Sequence, residues 1–228
     1  MMSHTRRSSR AFTLVEMMVV IAVILVLAAL TLSVTVTLTR GSETRETQNL
    51  MTQLEGIVNE WQTASGRTVR YGVNNEPCNA GEVYELNAAL PTMATAQLTT
   101  DELFRLFART TETKEMIARI NPAFVEQVEA EPGRPPTYRI SDAWGTQIIA
   151  ILPGRSHNQG CGDNIADRDR DGTIRTPFER RYGIAHNRTI LFVSAGPDGQ
   201  FGDLEAPDGS QQREYAKDNL YSYPPEAP

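Results

Sequence analysis

Apolar and polar positions along the chain fall into three regimes. In the first, residues 12–38, Glu16 is the only charged residue, and residues 17–30 contain no polar side chain at all. A helix needs about 20 apolar residues to cross the hydrocarbon core of a bilayer, and residues 12–31 supply them. In the second regime the period changes. After "RGSETRETQ" come Leu50, Leu54, Ile57, Val58 and Trp61, spaced so that they share one helix face. Glu43, Arg45, Glu46, Gln53, Glu55 and Glu60 fall mostly elsewhere on that helix, and Gly66 fits its C-terminal cap. The pattern predicts one helix over about residues 12–65, apolar all round in its first half and amphipathic in its second. Thr31, Ser33, Thr35, Thr37 and Thr39 alternate with apolar residues as a strand would, and Gly41-Ser42 leaves open an anchor followed by a separate helix.

The third regime is mixed. Residues 67–98, punctuated by Pro77, Gly81 and Pro91, read mostly as loop. Thr99 and Glu102 form a capping-box pattern ahead of Leu103, Phe104, Leu106 and Phe107, predicting a helix to about residue 120. Asn121 as N-cap and Pro122 at the first helical position predict a second short helix in "NPAFVEQVEA", closed by "EPGRPP". The stretches "TYRI", "TQIIAIL" and "RTILFVS" are strand-like, with Asp142-Ala143-Trp144-Gly145 as a hairpin turn between the first two. Helix first and sheet last make an α+β chain, a small antiparallel sheet packed on the helical spine.

Charge adds a direction. Arg6, Arg7 and Arg10 precede the apolar run and no acid does; without these three, 19 basic residues face 28 acids. A basic tip, an apolar span and an acidic body predict a cytoplasmic N-terminus with the body outside. A net charge of −6 offers no nucleic-acid footprint. Cys78 and Cys161 both lie beyond the apolar run. In an exported body they would form a disulfide worth about 2–4 kcal/mol; two buried thiols are the other reading. Three readings of the N-terminus compete. A cleaved secretory signal has the basic region but lacks a clean small-residue cleavage site, Thr31-Leu32-Ser33 being a poor one. A plain signal anchor leaves Glu16 unexplained, since a carboxylate in lipid costs roughly 2.5–3.5 kcal/mol even on a lenient scale.

The third reading is a resemblance. "RAFTLVEMMVVIAVILVLAAL" resembles the processing segment of type IV pilins and type II secretion pseudopilins. The resemblance implies a basic leader over residues 1–11, cleavage by prepilin peptidase between Ala11 and Phe12, and N-methylation of Phe12. Glu16 is then the fifth mature residue, as in the family, whereas Ala11 replaces the usual glycine. The new amine on Phe12 and the carboxylate of Glu16 are each costly alone in lipid. The resemblance implies that they pair between neighbouring subunits, which makes Glu16 a registry device for self-association into a filament. It further implies a pilin-like fold: a transmembrane and assembly helix at residues 12–38, its amphipathic continuation at 39–66, and a periplasmic globular domain at 67–228. Expected partners are other pseudopilins or pilins, prepilin peptidase and an inner-membrane assembly platform. The expected location is the inner membrane, then a filament.

"DAWG" and "LFVSAGPDGQFGD" are similar to segments of the major pseudopilin, whose C-terminal loop binds calcium. Residues 99–130 and 153–187 look like helical and loop insertions relative to it. Calcium takes six to eight oxygens from carboxylates and carbonyls. Asp198, Asp203, Asp208 and Asp218 are spread over the glycine-rich C-terminal segment. The resemblance favours Asp198 with Asp203 or Asp218; a solvated acidic turn is the alternative. A second acidic loop, "DRDRDGTIRTPFE", starts as a calcium loop does with Asp167, Asp169, Asp171 and Gly172. Its twelfth position is Phe178, with Glu179 one residue late. No Walker loop, G-x-S-x-G or H-E-x-x-H occurs, and nothing assembles a catalytic site, so no enzyme is expected. The sequence therefore reads as a filament subunit. A secretion pseudopilin is favoured, a type IV pilus subunit is the alternative, and a membrane-anchored periplasmic binding or enzymatic domain is the alternative from another class.

Overall fold

In the computed structural model, residues 14–72, 83–87, 92–128, 136–156, 173–186 and 189–225 are described. Helix α1 runs unbroken over Leu14–Ser65, so Gly41 does not interrupt it. Gly66 closes it in the left-handed conformation at φ 65°, its N–H donating to the Gln62 carbonyl. The chain divides into two compact units, Met1–Ser42 and Glu43–Pro228. In the first, the large apolar side chains at residues 14–27 lie at the surface, 45–76% exposed. Among the described residues no helix is long and apolar enough to cross a membrane.

The second unit holds the core. Leu50, Leu54, Ile57, Val58 and Trp61 are all buried, as their spacing requires, and Met51 joins them. Helices α2 (Met93–Phe107) and α3 (Thr111–Arg119) come next in the chain. An aromatic series ties the layers together: Trp61 lies 5.7 Å from Phe107, Phe107 meets Phe104 edge-on at 5.9 Å, and Phe104 stacks on Phe192 at 6.3 Å. Such pairs contribute about 0.5–1.5 kcal/mol each beyond area burial.

The segment expected as a single helix over residues 99–120 starts earlier and breaks in the middle. Thr92 is the true N-cap, in a reciprocal capping box with Thr95. The Thr99 and Thr100 hydroxyls instead bond back to the carbonyls of Thr95 and Ala96, inside the helix. After Phe107 the buried Thr113 hydroxyl takes the Phe107 carbonyl, which ends α2 and starts α3. Asn121 caps as predicted, its Oδ1 accepting from the Ala123 N–H at 3.0 Å. It opens only one 3-10 turn, Pro122–Phe124, and the chain then continues as a strand rather than a helix. That strand, β3 (Val125–Val128), pairs antiparallel with β4 (Thr137–Ile140), Val125 opposite Ile140. Cross-strand pairing outweighs the local helical signal here.

The predicted strands form. Strand β5 (Ile149–Ile151) pairs with β8 (Leu191–Ser194), and β8 with β9 (Leu220–Tyr221), in an antiparallel sheet of order β5-β8-β9. The residues expected as loop at 67–98 contain β1 (Thr68–Gly72) and β2 (Val83–Asn87), paired in parallel, as well as the start of α2. Within 153–187 lie β6 (Arg155–Ser156), β7 (Thr173–Ile174) and α4 (Pro177–Tyr182). Among the described residues, the single small antiparallel sheet of the sequence reading is therefore one three-stranded sheet with three two-stranded pairs.

Candidate functional site

Two places hold residues singled out in the sequence. The first is the head of α1. Ala11 and Phe12 lie outside the described residues; Glu16 sits exposed in the first turn of α1. A carboxylate is favoured there by the partial positive charge of the helix N-terminus. Beyond it stretches the exposed apolar surface of residues 14–27, more than single exposed side chains on a soluble helix would give. Surface of that kind requires a cover, either lipid or other apolar helices.

The second place is built from "DAWG" and "SAGPDG". The turn at residues 142–145 closes through the Gly145 N–H on the Asp142 carbonyl at 3.0 Å, with Gly145 at φ 84°. The buried Asp142 carboxylate organises it. Its Oδ1 accepts from the Trp144 and Thr146 N–H groups at 3.0 and 2.9 Å, and its Oδ2 accepts the Ser194 hydroxyl at 2.6 Å. Ser194 Oγ in turn accepts from the Gly196 N–H at 3.1 Å. Burial pushes the Asp142 carboxyl above its ordinary value even though these donors pull the other way. On its other side the turn is tethered to α1. The Trp144 Nε1–H donates to Glu43 Oε2 at 2.8 Å, and the Ala143 N–H to Thr47 Oγ1 at 3.2 Å. The sequence reading placed Glu43 among polar residues that fall mostly off the packed face. Its spacing of four from Thr47 and seven from Leu50 was the available signal that it shares the packed face.

The C-terminal acids separate into two kinds. Asp198 and Asp218 come together. Burial, with the nearby Asp198 charge second, pushes the Asp218 carboxyl upward. Asp218 Oδ1 and Asn219 Oδ1 are buried without a hydrogen-bond partner. Gly196, at φ 70°, has space for no side chain, since a Cβ would lie 2.3 Å from the Asp218 carbonyl oxygen. Asp203 is engaged elsewhere, with Arg181 Nε at 3.2 Å and the Glu205 N–H at 2.9 Å. Asp208 faces Arg213 Nε at 3.7 Å. Among the described residues no group of three or more His, Cys, Asp and Glu is placed to hold a metal ion.

Asp167, Asp169 and Asp171, and both Cys78 and Cys161, lie outside the described residues. Glu179, the acid one residue late for the second calcium loop, is spent on capping α4. It accepts from the Thr176 N–H at 2.7 Å and the Ala185 N–H at 3.3 Å, and burial pushes its carboxyl up. A cleft of about 190 Å³ is lined by Glu55, Val58, Asn59, Thr189, Ile190 and Tyr223, smaller than the roughly 300–1,000 Å³ of typical small-molecule pockets.

The family model for the prokaryotic N-terminal methylation motif matches residues 6–32. The chain thus carries the hallmark of type IV pilin and pseudopilin precursors, the substrates of prepilin peptidase. No curated protein and no solved structure matches it.

Proposed function

We propose that this chain, as a carrier of the N-terminal methylation motif, is the precursor of a pilin-like filament subunit of the type II secretion pseudopilin kind. It is inserted in the inner membrane with the body on the periplasmic side. Cleavage between Ala11 and Phe12 and methylation of Phe12 then yield the mature subunit, which polymerises through the head of α1. One observation carries this reading: the motif at residues 6–32 leads into a single helix, Leu14–Ser65, whose first part is apolar on every side with one acid, Glu16, in its first turn.

Glu16 serves assembly. A subunit enters the filament where its carboxylate meets the Phe12 amine of a neighbour, and two charges that are costly alone neutralise each other. Removing one member of such a buried pair costs about 3–5 kcal/mol, and the cost falls on assembly rather than on the body. Protein purified from its own cells should begin with N-methylated Phe12 by mass and sequence, and Glu16→Ala should be processed yet fail to enter filaments. An intact Met1, or a start beyond residue 30, would overturn the reading.

The pair Asp198 and Asp218 supports the pseudopilin form over the type IV pilus form. Two adjoining carboxylates and the unpartnered oxygens of Asp218 and Asn219 suit a hard cation. Bound there, calcium would neutralise both acids and tie the 3-10 turn after β8 to the segment before β9. Asp203, held by Arg181, and Asp208, exposed at a turn away from them, take no part. At a calcium concentration about 100 times Kd, the body should gain about 2.7 kcal/mol. The gain should vanish with chelator or in Asp218→Asn; a denaturation midpoint indifferent to calcium removes this support.

A further inference from the structure

The C-terminal segment contains two described Asp-Gly steps, Asp198-Gly199 and Asp208-Gly209. An aspartate followed by glycine is prone to attack by the glycine amide nitrogen on its own side-chain carboxyl, because glycine has no side chain to hinder ring closure. The two steps have the same sequence but opposite surroundings. At the first, the Gly199 N–H donates to the Gly196 carbonyl at 3.2 Å, and Asp198 Oδ1 is held by the Gln200 N–H at 2.7 Å. Nucleophile and electrophile are both restrained. At the second, the Asp208 side chain is 98% exposed, and its one ionic neighbour among the described residues, Arg213 Nε, stands 3.7 Å away. The Gly209 N–H meets no acceptor among the described residues. Gly209 sits at φ 79° with nothing within 4 Å of a would-be Cβ. The turn is closed around it by the Ser210 N–H on the Pro207 carbonyl at 3.0 Å, leaving both reacting groups at its tip.

We infer that Asp208-Gly209 is a site of spontaneous aspartate isomerisation in the folded protein and that Asp198-Gly199 is protected from it by the fold. The Gly209 nitrogen forms a bond to Asp208 Cγ. The carboxyl C–O bond breaks, and that oxygen leaves as water with the nitrogen's proton and the carboxyl's proton. Water then adds back to one of the two ring carbonyls. Hydrolysis at the backbone carbonyl leaves the chain running through the side chain, one methylene longer, with no net gain or loss of atoms. The lengthened step lies directly before Ser210, whose Oγ caps α5 (Gln211–Tyr215) by accepting the Arg213 N–H at 3.3 Å. Helix α5 in turn packs so closely on Gly202 that a Cβ there would lie 2.5 Å from the Ala216 nitrogen. Isomerisation therefore loosens the cap of the helix that leads to Asp218.

The test ages the full chain in detergent at neutral pH, folded and in urea, and then cuts it after Glu205 and Glu214 so that the two steps fall in different peptides. Isoaspartate is read by methylation with isoaspartyl methyltransferase and by fragmentation mass spectrometry. Expected in the folded chain is isoaspartate in residues 206–214, accumulating well ahead of the peptide with Asp198, and its abolition in Asp208→Glu. In urea the two steps should age at similar rates. Equal rates in the folded chain, an unmodified Asp208, or a bias that persists in urea would each overturn the inference. Filament function does not enter the readout.

Discussion

Asp142 shows how one carboxylate organises a loop junction. It takes two backbone N–H groups of its own turn and the hydroxyl that begins the C-terminal loop. Asp142→Asn keeps a single acceptor oxygen and leaves a buried donor unpaired, so it should cost about 1–3 kcal/mol in urea denaturation. Asp101 belongs to the same class. Gln147 Nε2 reaches its Oδ1 at 2.9 Å and the Arg139 guanidinium its Oδ2 at 3.3 Å, yet burial outweighs them and its carboxyl is pushed up. Asp101, Asp142 and Glu179 therefore all hold a proton more tightly folded than unfolded. Their contribution to stability is fully present below the ordinary carboxylate value and is lost as pH rises through the elevated folded value. The urea midpoint should rise as pH falls from neutrality toward the ordinary carboxylate range, and Glu179→Gln should flatten that rise. A wild-type midpoint that only falls on acidification would contradict this. None of the three was marked as buried by sequence, because an acid reveals burial only through the packing around it.

At the scale of elements, the features legible in sequence are those written in local periodicity. Leu50, Leu54, Ile57, Val58 and Trp61 announced the packed face of α1, Gly66 its end, and "TYRI", "TQIIAIL" and "RTILFVS" their strands. The hidden features were decided by pairing between distant segments. Thr99 with Glu102 is as good a capping box as Thr92 with Thr95 until Ala150 claims the Thr100 hydroxyl through its N–H at 2.8 Å. The segment at 125–128 is strand only because β4 lies beside it. Since α1 contributes the fully buried Leu54 to the same core as α2 and β8, Leu54→Ala should destabilise the body by about 2–5 kcal/mol. Circular dichroism should show the loss as one cooperative transition.

For the whole molecule, the division at Ser42 separates two tasks. Every residue of the core cluster lies beyond it, from Leu50 to Phe201, while the methylation motif lies wholly before it. A chain starting at Glu43 should therefore fold, with a urea midpoint close to that of the full chain measured in detergent. A start beyond Trp61 should not, because the helical face that completes the core is gone. The candidate site divides in the same way. The N-terminal methylation motif at residues 6–32 was legible from its fixed spacing, and the roles proposed for Ala11, Phe12 and Glu16 rest on it. Among the four C-terminal acids, the fold brings the Asp198 charge near Asp218, pairs Asp203 with Arg181 and leaves Asp208 exposed.

The tether between Trp144 and Glu43 also has an optical consequence. The chain has two tryptophans. Trp61 is sealed in the core at 3% exposure, whereas the Trp144 indole reaches a carboxylate on α1. In Trp61→Phe the remaining fluorescence comes from Trp144 alone, and its emission reports whether the turn is seated on the helix. The chain thus carries its own fluorophore where the body grips α1, and light emitted there can track that grip.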